Sequence, residues 1–275
     1  MGAMYAKFNL DISEIHQLKT FSESRPIYGI ESINIDEVRK MIRPNLKALV
    51  KGFTSAENVI DGDALRDYIF PTGEDGNYDV FISYSHDDTD DAIFLASWLE
   101  QKCGLRVFLD YYVWGNADSL LKDIDDHYCK QKDGMYNYRR RNYSTSHVHA
   151  MLSMAIMDII NNTECCIFIN SGHSIHLPSL RKTTTAKTLS PWIYEENKMM
   201  LLLPSHLVRR EVKYFSVSEK SVLSDSLNKL LMTHRVDLKG FKKLTCENLK
   251  EMRGKGTSGL NELYGSLAGI KILND

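Results

Sequence analysis

Apolar residues change their spacing along the chain, and the changes mark out elements. Residues 1–75 read as helical and irregular, with no convincing strand; DEVRKMIRPNLKALVKGF has helical spacing interrupted by Pro44. The turn-forming stretch PTGEDGN closes this region near residue 76. YDVFISYS (78–85), a β-branched and aromatic run, then predicts a buried strand. In DDTDDAIFLASWLEQKCG the acidic residues fall at a helix N-terminus, where the macrodipole favours them. Ala92, Leu95, Ala96, Leu99 and Cys103 share one face of that helix, and Gly104 is placed to stop it. LRVFLD (105–110) predicts the next strand, followed by the loop YYVWGNADS and a helix over LLKDIDDHYC. KQKDGMYNYRRRNYSTSH reads as a polar, aromatic insertion, VHAMLSMAIMDIINN as an apolar helix and ECCIFIN (164–170) as a third strand. After a long loop, SPWIYEEN (190–197) opens a helix that runs through KMMLLL to Pro204. Further on, VKYFSV and THRVDL are candidates for a fourth and a fifth strand, and ENLKEMRGKGTSGLNELYGSLAG predicts a helical tail.

Continuous apolar strands alternating with helices predict a parallel sheet covered on both faces, a doubly wound α/β domain. The reading divides the chain into a helical N-terminal extension (1–75), an α/β domain (76–240) and a helical C-terminal tail (241–275).

Composition narrows the class. With 43% hydrophobic and 25% charged residues over 275 positions, the chain can bury a sizeable core. A net charge of −2 gives no general attraction to nucleic acid or to an acidic membrane, and neither is expected as a partner. No apolar run reaches the length of a membrane span, and the opening MGAMYAKFNL lacks the pattern of a signal peptide. The five cysteines are odd in number and form no C-x-x-C pair, which is cytoplasmic usage. His173 and His176 have no carboxylate or cysteine at a recognisable ligand spacing, so no metal is expected.

In an open α/β sheet, ligands bind beyond the carboxyl ends of the strands. The first strand delivers Ser83, Tyr84, Ser85 and His86 to that edge. The second delivers Asp110 and then a loop with Trp114, Gly115, Asn116 and Asp118. The helix opened by Ser190, Pro191 and Trp192 points its N-terminus to the same edge, with Glu196 one turn in. Several occupants of this architecture are disfavoured. The third strand ends INSGHS, without the Asp of a phosphoacceptor, and SYSHDDTDD has four Asp and no Gly where a flavin phosphate would sit. A G-x-G-x-x-G at Gly254, Gly256 and Gly259 follows a helix-like segment, the wrong context for a dinucleotide fingerprint.

Taken together, YDVFISYSHDD, LASWLEQKCGLRVFLD, the Trp-Gly loop and SPWIYEEN resemble a TIR (Toll/interleukin-1 receptor) domain of the bacterial, NAD-consuming, anti-phage defence kind. The resemblance implies a flavodoxin-like arrangement of the parallel sheet. It implies cleavage of the nicotinamide–ribose bond of NAD+ as substrate, without a further cofactor, by hydrolysis or cyclisation. Its Trp-x-x-x-Glu pattern falls on Trp192 and Glu196, with Glu196 as the catalytic carboxylate. By position, Tyr84, Ser85, His86, Asp110, Trp114, Asp118, Trp192 and, from the insertion, His147 are the candidates for substrate contacts. The resemblance also implies homo-oligomers formed through the loop 111–119, and regulation by an effector or activating partner. A TIR module that acts only by self-association is the alternative.

Residue chemistry fits this expectation without requiring it. Nicotinamide departs from a cationic pyridinium, so one ionised carboxylate can suffice to stabilise an oxocarbenium-like transition state. Ser190 as N-cap and Pro191 at the first helical position make a strong helix start. Glu195 points about 100° away from Glu196 and reads as its solvated neighbour. A solvated carboxylate near a helix N-terminus is also the ordinary reading of Glu196 itself.

Overall fold

The computed structural model describes residues 6–24, 60–69, 78–109, 120–176, 186–202 and 232–268. In chain order the elements are β1 (Ala6–Asp11), α1 (Ile12–Ser24), α2 (Gly62–Ile69), β2 (Val80–Ser83), α3 (Thr89–Cys103), β3 (Val107–Leu109), α4 (Tyr138–Asn162) and β4 (Cys165–Asn170). They continue with β5 (Lys187–Thr188), α5 (Pro191–Leu202), β6 (His234–Arg235), β7 (Lys242–Leu244), α6 (Cys246–Glu251) and α7 (Thr257–Leu263). The chain divides into two compact units, one of residues 1–28, 77–109 and 160–275, the other of 29–76 and 110–159.

The first unit is built on a five-stranded, all-parallel sheet in the order β3-β2-β4-β1-β7. Its middle is apolar because β2 and β3 bury every side chain and β4 buries all but Asn170. Register and the two-residue period sort these side chains between two faces. Phe168 on β4 pairs with Ser83 on β2 and Asn9 on β1, so these three share one face. There Phe168 packs with Ile175, Ile193 of α5 and Val236. Phe8 pairs with Ile167 on the opposite face, where the Tyr264 ring stacks on it at 6.3 Å. Both faces of the sheet are therefore covered, as expected for a parallel sheet.

Several expectations need correction. β1 lies in the region read as helical, yet it sits between β4 and β7. Its burial alternates: Ala6, Phe8 and Leu10 are buried, while Lys7 and Asn9 are only partly so. β7 begins with two lysines inside the stretch read as a helical tail, at the edge of the sheet, where lysine discourages further strand pairing. The N-terminal strand thus occupies the place beside β4, and the order departs from the flavodoxin-like one. THRVDL supplies β6, which pairs antiparallel with β5 in a separate two-stranded sheet rather than joining the parallel one. VKYFSV lies outside the described residues.

Helix ends follow the sequence reading closely. In α3, Ala92, Leu95, Ala96, Leu99 and Cys103 are all buried, joined by Trp98. Gly104 terminates it at φ 70°, a left-handed conformation that glycine adopts without a Cβ clash. The Gly-containing tail segment follows α6, a helix, in agreement with its rejection as a dinucleotide fingerprint.

In the second unit, Leu65, Leu120, Ile124, Val148, Leu152, Ala155, Ile156 and Ile159 are buried. The polar insertion is more ordered than expected. A short turn closes with a bridge between Lys130 and Tyr136, and α4 starts directly afterwards at Tyr138. The Asn137 side chain accepts the Arg140 N–H at 3.1 Å, capping that start, so the arginine-rich run is helical rather than loop. Among the described residues no helix is long and apolar enough to cross a membrane.

Candidate functional site

The carboxyl edge of the sheet in the first unit brings together side chains from β2, β4 and α5. Ser190 caps α5 as the sequence predicts, its hydroxyl accepting the Ile193 N–H at 3.2 Å. Ile193, Glu196, Asn197 and Met200 form the buried stripe of α5, at the spacing of a helix face turned to a core. Two polar residues interrupt that stripe, and each has its own explanation. Asn197 is structural: its amide donates to the Asp237 carbonyl and accepts the Asp237 N–H, both at 3.0 Å. It thereby ties the 236–238 segment to the helix.

Glu196 has a different partner. It is 1% exposed, and its Oε2 accepts a hydrogen bond from Ser83 Oγ, itself fully buried, at 2.6 Å. The ordinary reading of Glu196 as a solvated carboxylate is therefore overturned. Glu195, one position earlier, is half-buried. Ser83 closes β2, so its hydroxyl is set by the sheet register rather than by a loop. A hydrogen bond to an ionised carboxylate is worth about 1.5–3 kcal/mol, and burying the ion costs several. In this structure the carboxylate is sealed from water, so a ligand reaching it must displace what covers it.

Deeper on the same face lie Cys166 and Lys7, paired in register. Burial pushes the Cys166 thiol up to about 12, with the Glu196 charge adding to the rise and Lys7 opposing it. Cys166 is thus a neutral thiol and no nucleophile at neutral pH. Lys7 is lowered from the usual lysine value by its own desolvation. Cys166 thus lies between Lys7 and Glu196 electrostatically, and the Lys7 side of this arrangement was illegible because β1 went unrecognised.

A second cluster lies at the ends of β2 and β4. Asp88, 2% exposed, receives the Ser171 hydroxyl on one oxygen and meets Nδ1 of His173 at 2.7 Å on the other. The hydrogen bond to Asp88 raises His173 above the ordinary histidine pKa, and the nearby Asp87 adds to it. His176 is pushed down, mainly by burial and secondarily by His173.

The remaining candidates fall in several places. Tyr84 is buried and, by strand alternation, faces away from Ser83; its ring lies 6.5 Å from that of His86, in stacked orientation. Ser85 is half-buried and His86 exposed in the loop after β2. Trp192 is half-buried in the first turn of α5. His147 is an exposed residue of α4 in the second unit, 4.3 Å from the Tyr143 ring. Asp110, Trp114 and Asp118, with the whole loop 111–119, lie outside the described residues. In the second unit a surface depression of about 540 Å³ is lined by Lys130, Gln131, Lys132, Asp133, Asn137 and Arg140, with none of the convergent buried chemistry of the sheet edge. Among the described residues no group of three His, Cys, Asp or Glu side chains is arranged to hold a metal ion.

Sequence reading gave no site role to Asp88, Ser171 or His173, and it placed Ser83 at the edge without counting it among the expected contacts. Spacing gives no hint of the Asp88–His173 pair. Residue chemistry alone read Glu196 as solvated; its place between Ile193 and Met200 on the buried stripe of α5 shows why it is not. No known family model, no curated protein and no solved structure matches the chain.

Proposed function

We propose that the protein is a TIR-like enzyme that cleaves the nicotinamide–ribose bond of NAD+, with Glu196 as its essential carboxylate. The observation that carries the reading is the burial of Glu196 against Ser83 at the carboxyl edge of a parallel sheet, where α/β folds place their ligands. A buried carboxylate with a fixed hydrogen-bond donor suits one task in this reaction, the stabilisation of positive charge on the ribose as nicotinamide leaves. The leaving group departs as a neutral molecule from a cation, so no acid is required opposite Glu196. Ser83 fixes the orientation of the carboxylate, holding its charge at the edge where the sugar would lie. The resemblance of the quoted motifs to TIR domains supplies the substrate, and with it the expectation of assembly through the loop 111–119 and of bacterial defence as the setting.

The test is incubation of concentrated protein with NAD+, following free nicotinamide by chromatography. Wild type is expected to release it and Glu196→Gln to release none above background. Self-association of wild type without any cleavage would instead establish the scaffold alternative.

A further inference from the structure

We infer that His173 is the group that takes the proton from the attacking water, and that the buried Asp88 positions it. The inference rests on the NAD+ reading above and adds to it a residue from a different strand.

Asp88 occupies the N-cap position of α3, where an aspartate ordinarily accepts an N–H of the first turn. Its side chain makes no such bond. The carboxylate instead spans from the loop after β2 to the turn after β4, engaging the Ser171 hydroxyl and Nδ1 of His173. That turn is itself fixed. Ser171 N–H donates to Ser174 Oγ at 2.9 Å, Ser174 N–H to Ser171 Oγ at 3.0 Å, and His173 N–H to Ser171 Oγ at 3.1 Å. With Nδ1–H directed at a carboxylate, the neutral imidazole carries its lone pair on Nε2. The His173 side chain is 52% exposed while Asp88 is 2% exposed, so the imidazole is accessible and its orienting carboxylate is not. This is the base-and-orienter arrangement that general-base chemistry uses. The cluster stands at the same sheet edge as Glu196, since Ser83 and Phe168 are level in the register and Asp88 and Ser171 follow them in their strands' continuations. Among the described residues, the charged and titratable groups facing His173 are Asp87 and Asp88, just before α3, and His176 from its own turn.

The step balances as follows. The bond between ribose C1′ and the nicotinamide nitrogen breaks, and its electron pair leaves with neutral nicotinamide. The water oxygen bonds to C1′, and the proton it sheds passes to Nε2 of His173, which later returns it to solvent. Glu196 stabilises the cationic ribose, and His173 activates the acceptor.

Base exchange separates the two roles, because replacing nicotinamide in NAD+ by labelled nicotinamide involves no water. With the purified full chain, His173→Gln is expected to lower ADP-ribose formation by about 100-fold or more while labelled exchange persists. Asp88→Asn is expected to move the acidic limb of the hydrolysis pH profile to lower pH, because the bond that raises His173 is gone. Hydrolysis and exchange falling together, wild-type hydrolysis in His173→Gln, or an unmoved limb in Asp88→Asn overturns the assignment. So does a wild type that exchanges but never hydrolyses. A wild type that does neither overturns the NAD+ reading itself, and the assignment falls with it.

Discussion

Glu196→Gln is expected to abolish cleavage and at the same time to raise stability. The carboxylate is 1% exposed and bonded to Ser83 at 2.6 Å. Glutamine keeps the shape and an acceptor oxygen for that hydroxyl. It exchanges a charge-assisted bond of about 1.5–3 kcal/mol for a neutral one of about 0.5–1.5, a loss of roughly 1–2 kcal/mol. Removing the buried charge recovers several kcal/mol of desolvation. The net is a gain of about 1–2 kcal/mol, or roughly 2–8 °C in Tm for a protein of this size. Calorimetry and denaturant titration at neutral pH measure it, beside nicotinamide release, which should fall by about 100-fold to 1,000-fold or more. A variant less stable than wild type by about 1 kcal/mol would refute the reasoning, because Glu196 would then be a structural member of the core. Stabilised and inactive together is the signature of a functional site that costs the fold stability.

Three further outcomes follow from the same geometry. Ser83→Ala leaves the buried carboxylate without its hydroxyl donor and should lower stability by about 1.5–3 kcal/mol, read as a lower urea midpoint with the slope unchanged; an unchanged midpoint would contradict the 2.6 Å bond. Gly104→Ala forces a side chain onto φ 70° at the end of α3; the added Cβ meets nothing closer than Gly256 Cα at 4.0 Å. Its cost should therefore be the conformational one, about 1–2 kcal/mol. The third outcome concerns pH. His173 is raised in the folded state, so the stabilisation from its pair with Asp88 is fully present below its unfolded pKa and is lost as pH rises through the folded value. The stability difference between wild type and Asp88→Asn should accordingly be larger near about pH 5.5 than near about pH 9; equal differences at both would mean that His173 is not coupled to Asp88.

Much of the first unit was legible because its strands obey one rule. VFIS, VFL and CCIFI are buried on both faces and read as continuous apolar runs. β1 defeats that rule. Lys7 and Asn9 alternate with Ala6, Phe8 and Leu10, so AKFNLD reads as a half-buried strand or as nothing, although it lies inside the sheet. β7 is short and mostly lysine, and only its pairing with β1 identifies it. At the site, local chemistry was readable and long-range chemistry was not. Ser190 as cap follows from the local sequence, whereas the buried stripe of α5 was obscured because Glu196 and Asn197 interrupt it. That Ser83 meets Glu196 depends on which face of β2 lies under α5, a matter of packing. Asp88 and His173 join loops from two different strands, and no periodicity links them.

The most direct test is a crystal structure of Glu196→Gln soaked with NAD+, a variant expected to bind the substrate without consuming it. The account predicts intact NAD+ at the carboxyl edge of the sheet, with the nicotinamide ribose against the side chains of residues 83 and 196 and the His173 ring facing C1′. NAD+ bound elsewhere, or a saturated crystal in which residue 196 stays sealed against Ser83 with no nucleotide beside it, would contradict the account.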